Sequence, residues 1–210
     1  MAKLSILKGQ EKITGEDEYL HKVFEAVASK FPNKTAVIDL EEELTFQKLN
    51  EVADKVARWI YGLLGCQKLV AVRFEPKVEL IVTLLAILKS GNAYVPVAPD
   101  WPRSRFDFII EDAKPSFCIT NITEPEFYHD FPIEVFEIGK ILAEDPYKIE
   151  RAEFEPNPQF AVMYTSGSTG LPKGVKLLHK SALFRAQWQW DLLPYQSEND
   201  VCAFKVTFAW

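Results

Sequence analysis

At 210 residues, with 48% apolar and 26% charged residues, the chain has material for one large or two small domains with a real core. Its formal net charge of −6 and the lack of a basic stripe argue against nucleic-acid or membrane-surface partners. No h-region opens the chain, and the longest apolar run, Leu80 to Leu88, is far too short to span a bilayer, so a cytoplasmic location is expected.

In chain order, residues 1–17 are polar and aperiodic and read as a loosely ordered lead-in. Leu20, Val23, Phe24, Val27 and Ala28 recur at helical spacing, ending near Phe31-Pro32. Thr35 to Leu40 reads as a strand. Thr45 is the expected N-cap of the longest helix, with Phe46, Leu49, Val52, Ala53, Val56, Ala57, Ile60 and Leu63 as its apolar face and Gly65 as its stop. Leu69 to Phe74 is almost continuously apolar, as a parallel strand covered on both faces should be. Val78 to Lys89 predicts a buried helix, ended by Ser90-Gly91-Asn92, and Ala93 to Val97 the next strand. Pro96 lacks an N–H, which places it near a strand end or edge.

Arg103 to Asp112 predicts a short helix and Phe117 to Thr120 a strand. Residues 121–132 are turn-rich, Ile133 to Ile138 alternates like a half-exposed strand, and 143–158 is a charged surface connection with Pro146, Pro156 and Pro158. Phe160 to Tyr164 is short, apolar and strand-like, and Val175 to Leu178 matches it, so the segment between joins a hairpin. Ser181 is the expected cap of a helix through Trp190, and Val201 to Phe208 a final strand. Alternating strands and helices predict a layered α/β fold, helices on both faces of a sheet, right-handed crossovers, and no domain boundary between residues 20 and 208. Cys66, Cys118 and Cys202 lack metal-ligand spacing and read as reduced, buried thiols.

The segment between the hairpin strands carries the chemistry. Residues 164–174 read Tyr-Thr-Ser-Gly-Ser-Thr-Gly-Leu-Pro-Lys-Gly. Gly167, Gly170 and Gly174 are expected to take positive φ and turn backbone N–H groups toward one point. Thr165, Ser166, Ser168 and Thr169 add hydroxyls and Lys173 an ammonium, a donor set suited to a polyphosphate. A flexible Gly/Ser loop is the bland alternative, but a linker has no use for Pro172, a lone lysine and flanking apolar strands. A P-loop is excluded, because Gly167 and Gly170 are three apart, Pro172 intervenes, and Gly174 follows Lys173.

The string resembles the phosphate-binding signature of acyl-adenylate-forming enzymes, the superfamily of acyl-CoA synthetases, luciferases and nonribosomal-peptide adenylation domains. Leu44-Thr-Phe-Gln-Lys-Leu49 and Leu88-Lys-Ser-Gly-Asn-Ala-Tyr-Val-Pro-Val97 resemble two further motifs of that family, in its order. Leu4 to Gly9, Gln187 to Trp190, Pro194-Tyr195 and Phe204-Lys205 resemble the Ebony-type β-alanyl-amine synthetases, although Trp188 and Trp190 equally suit the core face of one helix.

The resemblance implies that residues 18–210 are an incomplete N-terminal part of an adenylation domain, activating a carboxylic acid, an amino acid such as β-alanine, as acyl-AMP with release of pyrophosphate. It implies ATP with Mg2+, and phosphopantetheine only on a carrier domain absent from this chain. Thr165, Ser166, Gly167, Ser168, Thr169, Gly170 and Lys173 would hold the β- and γ-phosphates, a solvated surface lysine being the competing reading of Lys173. The family's adenine, ribose and C-terminal catalytic segments are missing, so no catalytic residue is assigned. The competing class is a truncated, non-catalytic isoform that binds nucleotide weakly or pairs with a full-length partner; self-association through the uncovered final strand is also expected. His129 reads as solvated, and His179 as a helix-approach residue more than a nucleotide contact.

Overall fold

A computed structural model describes residues 19–144, 156–165, 172–193 and 201–204. The chain opens with α1 (Leu20–Lys30), β1 (Thr35–Ile38) and β2 (Glu43–Thr45), the two strands pairing antiparallel as a small separate sheet. Thr45 ends β2 and caps α2 (Phe46–Leu64), its hydroxyl accepting the Lys48 N–H at 3.2 Å. Of the expected apolar face of α2, Leu49, Ala53, Val56, Ala57 and Ile60 are buried, Phe46 and Val52 are half-buried, and Leu63 lies at its margin, 43% exposed. Gly65 stops the helix at φ 75°, a conformation a Cβ would strain.

There follow β3 (Leu69–Arg73), α3 (Val78–Lys89), β4 (Ala93–Pro96), α4 (Arg103–Ala113), β5 (Cys118–Thr120), β6 (Val135–Glu137), α5 (Ile138–Ala143), β7 (Gln159–Thr165), β8 (Lys173–Leu178) and α6 (His179–Leu192). Six strands form the main sheet in the order β6-β5-β3-β4-β7-β8. All neighbours run parallel except β7 and β8, which make an antiparallel hairpin. Val70 and Val72 pack with α2 and α3 on one face, while Ala71 packs with Phe106, Ile109 and Ile110 of α4 on the other. Both faces of β3 are therefore dry, which is why it reads as an unbroken apolar run. Pro96 is the last residue of the central strand β4, opposite Val72, where its missing N–H costs least.

Lys89 is the least expected member of the interior. Its side chain is 1% exposed, and its ammonium meets Glu25 of α1 at 2.9 Å, Asp54 of α2 at 2.8 Å and the Asn50 carbonyl of α2 at 2.6 Å. Its three protons thus meet three acceptors. Beyond it, the buried Asn92 accepts the Lys68 N–H and donates to the Gly65 and Ser90 carbonyls, joining the end of α2 to the turn into β4. The Leu88-to-Val97 motif is thus a structural fastening.

Several expectations need correction. The α6 helix begins at His179, so Ser181 lies inside it and caps nothing; β8 runs directly into the helix, whose first N–H is held by the Pro158 carbonyl. Trp188 and Trp190 are 43% and 48% exposed, not core. Residues 201–204 form no strand; Val201 and Phe204 are exposed and the sheet's edge is β8, while 205–210 lie outside the described residues. Cys118 is buried, and burial pushes its thiol up to about 12, but Cys66 is only half-buried and Cys202 is exposed. The short β2 and α5 were not foreseen. The lead-in 1–17 and residues 145–155 of the charged connection also lie outside the described residues.

Lys89→Ala should lower stability by about 3–5 kcal/mol, because Glu25 and Asp54 would lose the buried cation they share. Urea unfolding checks this, and a loss below about 1 kcal/mol would show the fastening to be dispensable.

Candidate functional site

The last residue pairs of the hairpin are Tyr164 opposite Gly174 and Thr165 opposite Lys173. The two strands therefore bring Thr165 and Lys173, both exposed, face to face at the mouth of the loop. Ser166, Gly167, Ser168, Thr169 and Gly170, the other expected phosphate contacts, lie outside the described residues. The hairpin connection itself, strand to strand and not strand to helix, agrees with the failed P-loop spacing.

The β4–β7 ladder consists of the single pair Tyr94–Ala161, so beyond Ala161 the mouth needs other support. Val162 and Tyr164 provide it by packing into the α4 layer. The Tyr164 hydroxyl donates to Asp112 Oδ2 of α4 at 2.5 Å. Burial, and then the neighbouring carboxylate, hold this phenol well above its ordinary range, so it remains a donor.

Gly174 has a different role from the one expected. The described glycines with positive φ are Gly65 and Gly91, and Gly174 is not among them. A Cβ at residue 174 would lie 3.1 Å from Tyr164 Cζ, 3.2 Å from its oxygen and 3.2 Å from Val162 Cγ1. Glycine there leaves the Tyr164 ring its room.

At the other end of the hairpin, His179 is 2% exposed and its Nδ1 accepts the Leu20 N–H at 3.1 Å. Its ring lies 5.3 Å from Tyr19, 6.0 Å from His21 and 5.8 Å from Phe160. It ties α1 to the hairpin and is buried among aromatic rings. His129, in contrast, has a 78% exposed side chain, 2.9 Å from Asp130.

The ordinary ligand crevice of an open α/β sheet is taken by protein. It falls between β3 and β5, adjacent strands whose chains continue to opposite sides. There Arg73, 2% exposed, donates to Tyr128 at 3.0 Å, the Pro99 carbonyl at 2.9 Å and Glu124 at 2.9 Å. Its guanidinium stacks 4.1 Å from the centre of the Phe127 ring. Sequence reasoning missed this plug, because an arginine closing a strand carries no sign of burial. Among the described residues, no group of three or more His, Cys, Asp or Glu gathers to hold a metal ion.

Comparison with known proteins agrees with this architecture. The sequence matches the AMP-binding enzyme family over residues 24–210. It is 32% identical to zwittermicin A synthase ZmaJ of Bacillus cereus, over 87% of this chain and 35% of that protein. It is 33% identical to the β-alanyl-bioamine nonribosomal peptide synthetase ebony of Drosophila melanogaster, over 98% of this chain and 26% of that one. The N-terminal subdomain of Klebsiella oxytoca NpsA, solved with 3-hydroxybenzoyl-AMSN, superposes with a TM-score of 0.67 at 22% identity, over 77% of this chain and 41% of that chain. The chain thus spans well under half of each of these relatives.

The paired histidines make stability depend on pH. Burial lowers both His21 and His179 from 6.5 to about 4; for His21, Glu25 opposes the shift and His179, Lys22 and Lys89 add to it. Both rings are neutral when folded, so the unfolded chain binds more protons between about pH 4 and 6.5. Their contribution is complete above 6.5 and is lost as pH falls toward 4. Urea midpoints across that window should fall with acid, and less steeply in His21→Gln; parallel slopes would contradict this.

Proposed function

Because the chain belongs to the AMP-binding enzyme family, we propose that it is the phosphate-holding N-terminal part of an ATP-dependent synthetase. That synthetase activates a carboxylic acid as acyl-AMP and releases pyrophosphate. The observation that carries this reading is the hairpin, which sets Thr165 and Lys173 opposite each other with Ser166 to Gly170 between them in sequence.

In adenylation a carboxylate oxygen attacks the α-phosphorus and pyrophosphate leaves, so charge builds on phosphate oxygens. A protein helps chiefly by placing donors where that charge accumulates. Thr165, Ser166, Ser168 and Thr169 offer hydroxyls, Gly167 and Gly170 let the backbone approach closely, and Lys173 adds positive charge by the leaving group. Mg2+ enters with the triphosphate. The substrate is an amino acid, β-alanine first among candidates, a reading supported by 33% identity to the fly synthetase. Phosphopantetheine would belong to a carrier domain outside these residues.

A second reading, a non-catalytic module that binds nucleotide weakly and associates with another chain, is favoured by the exposed Phe184, Trp188, Trp190 and Leu192 of α6, which follows β8, the edge strand among the described residues. Sedimentation of the 210-residue chain would show self-association through that face. Acyl-AMP formation by the 210 residues alone would overturn this module reading.

The complete natural protein should exchange labelled pyrophosphate into ATP when given its amino acid, and silence with every amino or carboxylic acid would sink the synthetase reading. Gly167→Val and Gly170→Val should nearly abolish exchange. Lys173→Ala should slow turnover about 10- to 100-fold, the loss of one charged donor to the transition state.

A further inference from the structure

Tyr164 stands one residue before Thr165, Gly174 one residue after Lys173, and the two are paired across the hairpin. Whatever fixes that pair therefore fixes the mouth from which the phosphate loop leaves. The register pair between β7 and β4 is Tyr94–Ala161, three residues before Tyr164, so the mouth draws on further restraints beyond that pair. Val162 supplies packing alone. The directional restraint is the bond from Tyr164 to Asp112, a short charge-assisted hydrogen bond to a helix anchored by the buried Phe106, Ile109 and Ile110.

We propose that the Tyr164–Asp112 bond, seated on Gly174, is a positioning device that sets where Thr165 and Lys173 present their donors to the nucleotide. The device rests on the synthetase reading for its purpose, though not for its mechanics. The Tyr164 ring lies across the partner strand, where a Cβ at residue 174 would press on it at 3.1 Å. Its hydroxyl then reaches α4, 52 positions back in the chain, and holds the hairpin to the helix layer. A ring that merely filled space would have no need of its hydroxyl, so the role is separable from packing. Neither Tyr164 nor Asp112 touches the reacting atoms; both act through the loop.

The test compares Tyr164→Phe, which keeps the ring, with Asp112→Ala and Asp112→Asn in the complete natural protein. Tyr164→Phe should raise the KM for ATP about tenfold, as for loss of one charge-assisted bond, and leave the amino-acid KM unchanged. Asp112→Ala should match it, the double variant should be no worse than either single one, and Asp112→Asn, which retains an acceptor, should recover most of the loss. Gly174→Ala, by displacing the ring, should have the same signature. An unchanged ATP KM in Tyr164→Phe, or additive losses, would overturn the proposal.

Amide hydrogen exchange gives a readout independent of the reaction. In Tyr164→Phe the Thr165 and Gly174 amides should exchange about tenfold faster while those of α2 stay protected. Unchanged exchange at the mouth overturns the device. If the wild-type protein activates no acid but these amides respond, the synthetase reading fails and the restraint stands.

Discussion

A single ammonium ties the helical layers together. The apolar cluster that contains α2 and α3 could be assembled in many ways by hydrophobic burial alone, which is not directional. Lys89 removes that freedom, because its protons are matched only when Glu25, Asn50 and Asp54 arrive from two different helices. Burying a charge this deep is costly, and the return is geometric: α1 and α2 are pinned to the end of α3. From there Asn92 directs the chain into β4, and β4 is the strand on which the hairpin depends.

The position of the candidate site follows from two further constraints. Arg73 and its partners fill the crevice where a sheet of this order would receive a ligand. The hairpin at the other side of β4 instead projects its mouth past the last backbone pair with the sheet. Antiparallel strands can be joined by a short connection without a crossover helix, and Thr165 and Lys173 face each other where that connection leaves the sheet. A loop rich in Ser, Thr and Gly, with one lysine at its base, suits that arrangement.

The sequence was most readable where structure is decided locally. Thr45, an eight-residue apolar stripe and Gly65 sufficed for α2, since cap, face and stop are all short-range. The three-residue β2 and six-residue α5 escaped because neither is long enough to show a period. Trp188 and Trp190, which suit core positions of one helix equally well, lie two apart and therefore point to different sides, and both are exposed. Lys89 and Arg73 were beyond reach, since their burial is created by partners elsewhere in the chain. At the site, the chemistry of the loop could be read but its restraint could not. Asp112 looks like any acidic helix end, and Gly174 looks like a turn residue when its need is for room.

Neither α1 nor α3 begins with a cap of its own. No side chain of Tyr19 serves α1, and the Leu20 N–H waits for an imidazole 159 positions later; α3 takes its first bond from Asp39. On the ribosome this separates the helices in time. Asp39, the cap of α3, precedes that helix in the chain, whereas α1, which precedes α3, gains its His179 bond only after the hairpin has been synthesised and turned back onto it. The Leu20 N–H bond of α1 thus forms together with the docking of the hairpin, after Lys89 has already become available to hold Glu25.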